Sequence, residues 1–93
     1  MYFLYILYSP SFDKFYTGIS KDPYKRLLEH NSSPYNTFTS KYRPWELFLF
    51  FEAGPTLSFA LKLEKKIKKQ KRRDFFFKLK DPSFRESFIR SAG

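Results

Sequence analysis

The sequence predicts a small α/β fold in which a three-stranded, antiparallel or mixed sheet is flanked by helices, in the order ββαβα followed by a C-terminal helix. Two aromatic-rich extended segments open the chain, two Asp-Pro pairs mark helix starts, and a basic segment carries apolar residues at helical spacing. The 93 residues suffice for one domain and not for two. We therefore expect a single domain over residues 1–93, with its core over about 2–72 and a helical tail over 74–91.

The first two strands are predicted to form a hairpin. Residues 2–8 are apolar and aromatic without a helix or strand breaker, residues 9–14 have the composition of a turn, and residues 15–19 resume an extended pattern. Gly18 interrupts the second strand, which indicates a bulge or a close approach of the backbone to another group.

A first helix is predicted to begin at the pair Asp22-Pro23, with Asp22 as the N-cap, and to end at about Asn31. Leu27 and Leu28 are expected to face inward. Residues 32–43 are polar and loop-like, and residues 45–52 form a third strand that is apolar on both faces and is therefore expected to be central.

A long helix is predicted over about residues 57–72, capped by Thr56, and a short one after Asp81-Pro82. In the long helix an apolar arc is expected to face inward, and Glu64 falls within it. The apolar residues of this arc are Leu57, Phe59, Ala60, Leu61, Leu63 and Ile67.

Composition excludes several classes of protein. Without cysteine the chain has no disulfide framework, thiolate zinc site or cysteine nucleophile, and one histidine, His30, excludes a site of several imidazoles. We see neither a glycine-rich phosphate loop nor a serine-histidine-acid set. The apolar runs are shorter than a membrane span and no signal peptide is recognised, so we expect a soluble cytoplasmic protein.

The positive charge is concentrated in one segment. Residues 62–73 contain eight bases and one acid and so supply +7 of the net charge of +9. Such a patch suits a polyanion through contacts with phosphates, although a solvated lysine face kept for solubility has the same composition. The candidate nucleic-acid contacts are Lys62, Lys65, Lys66, Lys69, Arg72 and Arg73, with Arg43 from the preceding loop.

Glu64 is the sharpest local anomaly, because a carboxylate on an inward stripe must be paired, protonated or bound to a cation. An ion pair with a neighbouring base or with Arg26 is one interpretation. The other is a single carboxylate that holds Mg²⁺ or Mn²⁺, with water and substrate phosphate as the remaining ligands. Tyr5 and Tyr16 lie on adjacent strands of the hairpin, and Arg26 with His30 fits a phosphate clamp and its hydrogen-bonding partner.

Several short motifs resemble the signature of the GIY-YIG endonuclease superfamily. They are Leu4-Tyr5-Ile6, Tyr16-Thr17-Gly18, Lys25-Arg26-Leu27 and His30-Asn31. Residues 43–47 and 60–68 are similar to the compact, stand-alone bacterial branch of that family, and the resemblance covers residues 2 to about 72. Phe3 stands where the first motif has its glycine, and Ile19 where some members have a lysine.

The resemblance implies three antiparallel strands and metal-dependent hydrolysis of a nucleic-acid phosphodiester by an activated water. Carried onto this sequence, it makes Tyr5 and Tyr16 the tyrosines of the two motifs, with Tyr16 the one that positions or deprotonates the nucleophile. Arg26 would stabilise charge on the phosphate, and His30 would assist the same step. Glu64 would be the metal ligand for one Mg²⁺ or Mn²⁺ ion, and DNA is the expected substrate.

Two other functions are compatible with the same residues. One is a nucleic-acid-binding module that keeps the fold without useful catalysis and binds through the basic helix over residues 62–73. The other is a role with RNA, because phosphate contacts alone do not distinguish RNA from DNA. The sequence leaves the oligomeric state open.

Overall fold

The computed structural model describes residues 1–34, 37–70 and 72–92. Tyr35 and Asn36 of the polar loop and Lys71 of the basic segment lie outside these ranges. The elements are β1 (Tyr2–Ser9), β2 (Lys14–Ser20), α1 (Pro23–Ser32), a short 3-10 helix (Thr39–Tyr42), β3 (Glu46–Gly54), α2 (Leu57–Lys68), α3 (Arg73–Lys78) and α4 (Pro82–Ala92). Both strand pairings are antiparallel, so the predicted α/β class with a three-stranded antiparallel sheet and flanking helices is confirmed.

The strand order in the sheet is β2-β1-β3. The predicted hairpin is confirmed, with Tyr5 opposite Gly18 in its register. The expectation that the third strand is central was wrong, because β1 takes that place and β3 lies at an edge. Residues 4–7 are almost completely buried, so both faces of β1 are covered, whereas several side chains of β3 are exposed. The apolar run of the third strand therefore indicated neither full burial nor a central position.

Alternate residues of β1 serve two apolar clusters on opposite faces of the sheet. Leu4 and Ile6 belong to the larger cluster, which the C-terminal helices cover. Tyr5 and Leu7 belong to a smaller cluster with Trp45 on the face that α1 covers. Packing in the smaller cluster thus holds the ring of Tyr5 independently of its polar contacts.

Helix α1 begins as predicted, with Pro23 in its first turn and an Asp22 carboxylate that accepts a hydrogen bond from the backbone N–H of Lys25 at 3.1 Å. Leu27 is half-buried against the smaller cluster, but the prediction for Leu28 was wrong, since that side chain is exposed. Only a narrow side of α1 contacts the sheet, and Leu28 lies beyond it.

Helix α2 ends at Lys68, four residues before the predicted end at residue 72, and a separate short helix, α3, follows. The chain changes direction at this point, so that Phe75 and Leu79 are buried in the larger cluster. A straight continuation would carry those residues away from the sheet. The basic residues 62–73 therefore span two helices and their connection.

The inward arc of α2 is narrower than predicted. Ala60, Leu63 and Ile67 are buried, whereas Leu57 and Leu61 are exposed and line a recess beside Glu64. The helix after Asp81-Pro82 is present, and its Phe84 and Phe88 pack against the larger cluster. None of the described helices combines the length and apolar character needed to cross a lipid bilayer.

Candidate active site

The ring of Tyr5 lies directly across Gly18 on the neighbouring strand. A Cβ atom built on Gly18 would lie 2.4 Å from the hydroxyl oxygen of Tyr5 and 2.5 Å from its Cζ, closer than van der Waals contact allows. Tyr5 is fully buried, with its ring packed in the smaller cluster and its hydroxyl group bonded to His30. The close approach predicted from this glycine is therefore explained by the Tyr5 side chain.

Tyr5 and His30 form a buried hydrogen-bonded pair. The hydroxyl oxygen of Tyr5 lies 2.9 Å from Nε2 of His30, and Nδ1 of His30 lies 2.9 Å from Oγ1 of Thr39. A further contact of 3.1 Å joins the hydroxyl groups of Thr37 and Thr39. Thr39 was not predictable as a partner of His30, because a threonine in a polar loop is common and the two residues are nine positions apart.

The electrostatic surroundings keep this pair uncharged near neutral pH. Burial lowers the pKa of His30 below its ordinary value, and the positive charge of Arg26 lowers it further. Burial raises the pKa of Tyr5 above its ordinary value, although Arg26 opposes that effect. The neutral imidazole has one donor and one acceptor nitrogen, so either Tyr5 donates to His30 and His30 to Thr39, or both bonds run the other way.

Arg26 extends from α1 and keeps its positive charge at the rim of the site. Its interaction with the Tyr5 hydroxyl raises the pKa of its guanidinium. A surface ion pair joins its Nη1 to a carboxylate oxygen of Glu29 at 3.4 Å. Such an exposed pair is weak, so the guanidinium can turn toward an anionic ligand at little free-energy cost.

Tyr16 is half-buried and stands at the junction of three neighbouring recesses. Its ring centroid lies 4.9 Å from that of His30 and 6.4 Å from that of Tyr5. Nζ of Lys68 lies 5.9 Å from the centroid of the Tyr16 ring. Among the described residues its hydroxyl group has no hydrogen-bond partner, which distinguishes it from the Tyr5 hydroxyl and leaves it free to bind a ligand.

Glu64 reaches from α2 into an open recess at the edge of β2. Four of the five predicted catalytic residues line this recess of about 260 Å³, namely Tyr5, Tyr16, Arg26 and Glu64. His30 lies behind Tyr5 and instead lines the neighbouring recess that Tyr16 and Arg26 also enter. The Glu64 carboxylate forms an ion pair with Lys68 at 3.5 Å, and its side chain is 21% exposed. The sequence-predicted acid is therefore paired with a neighbouring base and also open to the recess.

The donor set fits one hard divalent cation with few protein ligands. Within the described ranges no three histidine, aspartate or glutamate side chains gather as a metal cage. A single carboxylate that faces an open recess still suits Mg²⁺, which usually keeps several waters and takes one or two carboxylates together with substrate phosphate. Glu64 is the carboxylate among the residues that line this recess.

The family model described as the GIY-YIG catalytic domain matches residues 1–80 of the 93-residue chain. The chain belongs to the GIY-YIG family. Members of this family are nucleases, so membership supports an enzymatic role and a nucleic-acid substrate. Neither the comparison with curated proteins nor that with solved structures returned a match.

The GIY-YIG motif residue Asn31 fixes the start of β3. Its side-chain oxygen accepts a hydrogen bond from the backbone N–H of Trp45 at 2.7 Å, and its side-chain nitrogen donates to the carbonyl of the same residue at 3.0 Å. Arg43 makes a similar internal contact, since its Nε and Nη2 donate to the carbonyls of His30 and Ser33 at 2.6 and 2.8 Å. These carbonyls lie at the C-terminal end of α1, where a cation is favourable.

The basic residues of this GIY-YIG domain differ in their position relative to the recess. Lys62, Lys65 and Lys69 are exposed and lie roughly 100° to 160° around α2 from Glu64. Lys66 instead packs on α4, with Nζ 4.6 Å from the ring centroid of Phe88.

Three other bases among the described residues of the segment 62–73 make ion pairs. Arg72 pairs with Asp74 at 3.3 Å, and Arg73 pairs with Asp13 in the β1–β2 turn. Lys68, four positions after Glu64, lies beside the candidate active site and was not among the residues that we had singled out as nucleic-acid contacts. Its helical spacing from Glu64 was the available signal.

Proposed function

We propose that this GIY-YIG domain is a metal-dependent endonuclease that hydrolyses phosphodiester bonds in DNA. The observation that carries the proposal is the convergence of Tyr5, Tyr16, Arg26 and Glu64 on one open recess. Phosphodiester hydrolysis needs a cation and a carboxylate at one place, together with a hydroxyl group that can contact the attacking water. The net charge of +9 supports a polyanionic substrate.

Each side chain has a role that follows from its surroundings. Arg26 places positive charge against the scissile phosphate and stabilises the charge that builds on it. The hydroxyl oxygen of Tyr16 accepts a hydrogen bond from the attacking water and orients it. Tyr5 keeps its proton because burial raises its pKa, so it acts as a positioning residue that His30 holds in place.

Glu64 would hold the divalent ion, Mg²⁺ or Mn²⁺, through its carboxylate. When bound, such an ion supplies positive charge to the phosphate oxygens and lowers the pKa of water. The ion pair with Lys68 must open for this, which is inexpensive because Lys68 is largely exposed. Substrate phosphate completes the set of ligands, so we expect metal and DNA to bind cooperatively.

The other predicted bases are proposed to hold parts of the DNA that extend beyond the recess. These contacts are Lys62, Lys65, Lys66, Lys69, Arg72, Arg73 and Arg43. We further propose that residues 1–93 act as one domain, because Phe84 and Phe88 of α4 pack against the same cluster as the sheet.

A cleavage assay on duplex, single-stranded and branched DNA with Mg²⁺ tests this proposal. The wild-type protein should cut at least one of these, and Arg26→Ala and Glu64→Ala proteins should not, while keeping the wild-type fold by circular dichroism. Arg90→Ala is the matched control, because Arg90 pairs with an acid on the surface of α4 and should be dispensable. Clean wild-type protein that cuts none of the three DNA forms would overturn the enzymatic proposal.

A second candidate function is a nucleic-acid-binding module without catalysis. The ion pair between Glu64 and Lys68 favours it, since that contact satisfies the carboxylate without a metal. Under this alternative, Glu64→Ala leaves DNA binding unchanged or slightly tighter in metal-free and Mg²⁺ buffers alike. Loss of binding in Mg²⁺ buffer alone contradicts it. Competition between DNA and RNA of one sequence decides which nucleic acid is preferred.

A further inference from the structure

A row of aromatic side chains leads from Tyr16 to the surface of the molecule. The ring centroids of Tyr16 and Phe38 lie 6.4 Å apart with nearly parallel planes, those of Phe38 and Tyr42 lie 5.0 Å apart, and those of Tyr42 and Phe12 lie 5.3 Å apart. We call Phe38, Tyr42 and Phe12 the aromatic ridge. It starts at the candidate active site and ends in the β1–β2 turn.

The two phenylalanines of the aromatic ridge are unusually exposed for their size. Phe38 is 53% exposed and Phe12 is 50% exposed, and neither belongs to the buried clusters. Phe38 also lines the recess of about 370 Å³ that contains Arg26 and His30. Exposed rings beside a functional site indicate a surface that binds a ligand with flat, apolar faces.

Positive charge runs alongside the aromatic ridge. Nζ of Lys14 lies 5.4 Å from the ring centroid of Tyr42. The same lysine lines a recess of about 340 Å³ together with Lys68 and Arg73, which we call the basic recess. Asp13 also lines the basic recess and pairs with Arg73, so the described bases outnumber the acids there by three to one.

We propose that the aromatic ridge and the basic recess form a subsite for unpaired nucleotides of the substrate, next to the site of cleavage. This assignment rests on the proposed nuclease function and specifies its substrate class as DNA with a single-stranded segment. Bases in a duplex present only their edges, so a ring can stack only on a base whose face is free. The phosphates of the same strand lie beside Lys14, Lys68 and Arg73, and the strand passes Tyr16.

The combination of aromatic and basic side chains favours single-stranded nucleic acid over other ligands. An apolar peptide has no negative charge to pair with Lys14 and Lys68. A second copy of this chain, with its net charge of +9, would be repelled by them. A fully paired duplex could contact the basic recess but not the faces of Phe38 and Phe12. Single-stranded nucleic acid uses both, because every base has a face and every nucleotide a negative charge.

Fluorescence anisotropy in EDTA tests the assignment without cleavage. The probes are a labelled twelve-nucleotide single strand and the blunt duplex of the same sequence. Phe38→Ala and Phe12→Ala should each weaken binding of the single strand by about fivefold or more and leave duplex binding unchanged. Phe38→Trp, which keeps an aromatic face, should bind the single strand at least as well as the wild type. Tyr24→Ala is the matched control, since Tyr24 is equally exposed, at 60%, but lies away from the recesses.

Lys14→Gln tests the basic recess in the same assay, with Lys78→Gln as the control, since it removes the same charge from a surface ion pair outside the basic recess. We expect Lys14→Gln to lower the salt dependence of single-strand binding more than Lys78→Gln does. Equal effects of the phenylalanine substitutions on single strand and duplex, or no effect on the single strand, would overturn the subsite. Wild-type binding that depends on the rings without any DNA cleavage would leave the subsite standing and remove the nuclease proposal. DNA cleavage together with single-strand binding that is unchanged by the phenylalanine substitutions would remove the subsite and leave the nuclease proposal standing.

Discussion

The hydroxyl group of Tyr5 lies 2.9 Å from Nε2 of His30, a contact that joins the central strand of the sheet to the end of helix α1. Both partners are buried, and Thr39 occupies the other nitrogen of the imidazole. The tyrosine of the first motif is therefore held inside the protein, whereas Tyr16, the tyrosine of the second, is half-buried and has no hydrogen-bond partner for its hydroxyl among the described residues. The two tyrosines should respond differently to the same substitution.

Tyr5→Phe and Tyr16→Phe separate positioning from catalysis. Tyr5→Phe leaves a buried nitrogen of His30 without its partner and should cost about 1–3 kcal/mol in the free energy of unfolding. Tyr16→Phe removes a hydroxyl that has no partner in the part of the chain that the structure describes, and it should change stability by less than about 0.5 kcal/mol. The rate constant of DNA cleavage should nevertheless fall much further for Tyr16→Phe than for Tyr5→Phe. Urea unfolding measures the two stabilities, and single-turnover kinetics measure the two rate constants. The reverse ranking of the rate constants would contradict the assignment of Tyr16.

Gly18→Ala tests the close approach between strands β1 and β2. The new methyl group would overlap the ring of Tyr5, which is fully buried, so we expect a loss of about 1–3 kcal/mol in stability. In a Tyr5→Ala background the same substitution should cost clearly less, since the obstructing ring is gone. A double-mutant cycle by urea unfolding measures the difference. Equal costs in both backgrounds would show that Tyr5 is not the obstacle.

The buried imidazole predicts a specific pH dependence of stability. Burial lowers the pKa of His30 in the folded protein, while in the unfolded chain it stays near the ordinary value of about 6.5. The contribution of the neutral imidazole to the free energy of unfolding is therefore fully present above about pH 6.5. It is lost as the pH falls through the lower pKa of His30 in the folded protein. His30→Gln removes the titration and still offers a hydrogen-bonding group to Tyr5.

Urea unfolding of the wild type and of His30→Gln across this range measures the effect. The wild type should lose stability relative to the variant as the pH falls below about 6.5, because the carboxylates titrate alike in both proteins. Parallel curves for the two proteins would show that the imidazole of His30 is not held in its neutral form.

Asn31→Ala tests the attachment of α1 to β3. Both hydrogen bonds to Trp45 would be lost, and we expect a loss of about 1–3 kcal/mol in stability. Asn31→Asp keeps an acceptor for the N–H of Trp45 but puts a carboxylate oxygen against the carbonyl of Trp45 at the C-terminal end of α1, so it should be no more stable than Asn31→Ala. Thermal unfolding ranks the three proteins, and an Asn31→Ala protein as stable as the wild type would contradict a structural role for this motif residue.

The sequence predicted local elements well, because their signals are local. The Asp22-Pro23 start, the hairpin and the Thr56 cap each depend on a few neighbouring residues with strong backbone preferences, and all are present. It failed where tertiary packing decides. The strand β3 is as apolar as a central strand, and nothing between Lys68 and Arg73 breaks a helix, yet the sheet order and the end of α2 depend on what the larger cluster accommodates.

The candidate site divides in the same way. Tyr5, Tyr16, Arg26, His30 and Glu64 were singled out by residue type and by the resemblance of their motifs to the GIY-YIG signature, and all five lie in one region of the fold. Thr39 and the difference between the two tyrosines were not predictable, because they depend on how the loop before β3 folds back over α1. The aromatic ridge was equally hidden, since exposed and buried phenylalanines look alike in a sequence with 13 of them.

Single-turnover cleavage by Glu64→Gln tests the central claim most directly. Glutamine keeps the size of the side chain but not its negative charge, and Glu86→Gln on the surface of α4 is the matched control. With DNA occupancy held equal by anisotropy, we expect cleavage by the wild type and Glu86→Gln in Mg²⁺, none in EDTA, and a loss of at least about a hundredfold for Glu64→Gln. Cleavage by Glu64→Gln at the wild-type rate, or by the wild type at the same rate in EDTA, would show that Glu64 does not hold a catalytic metal ion.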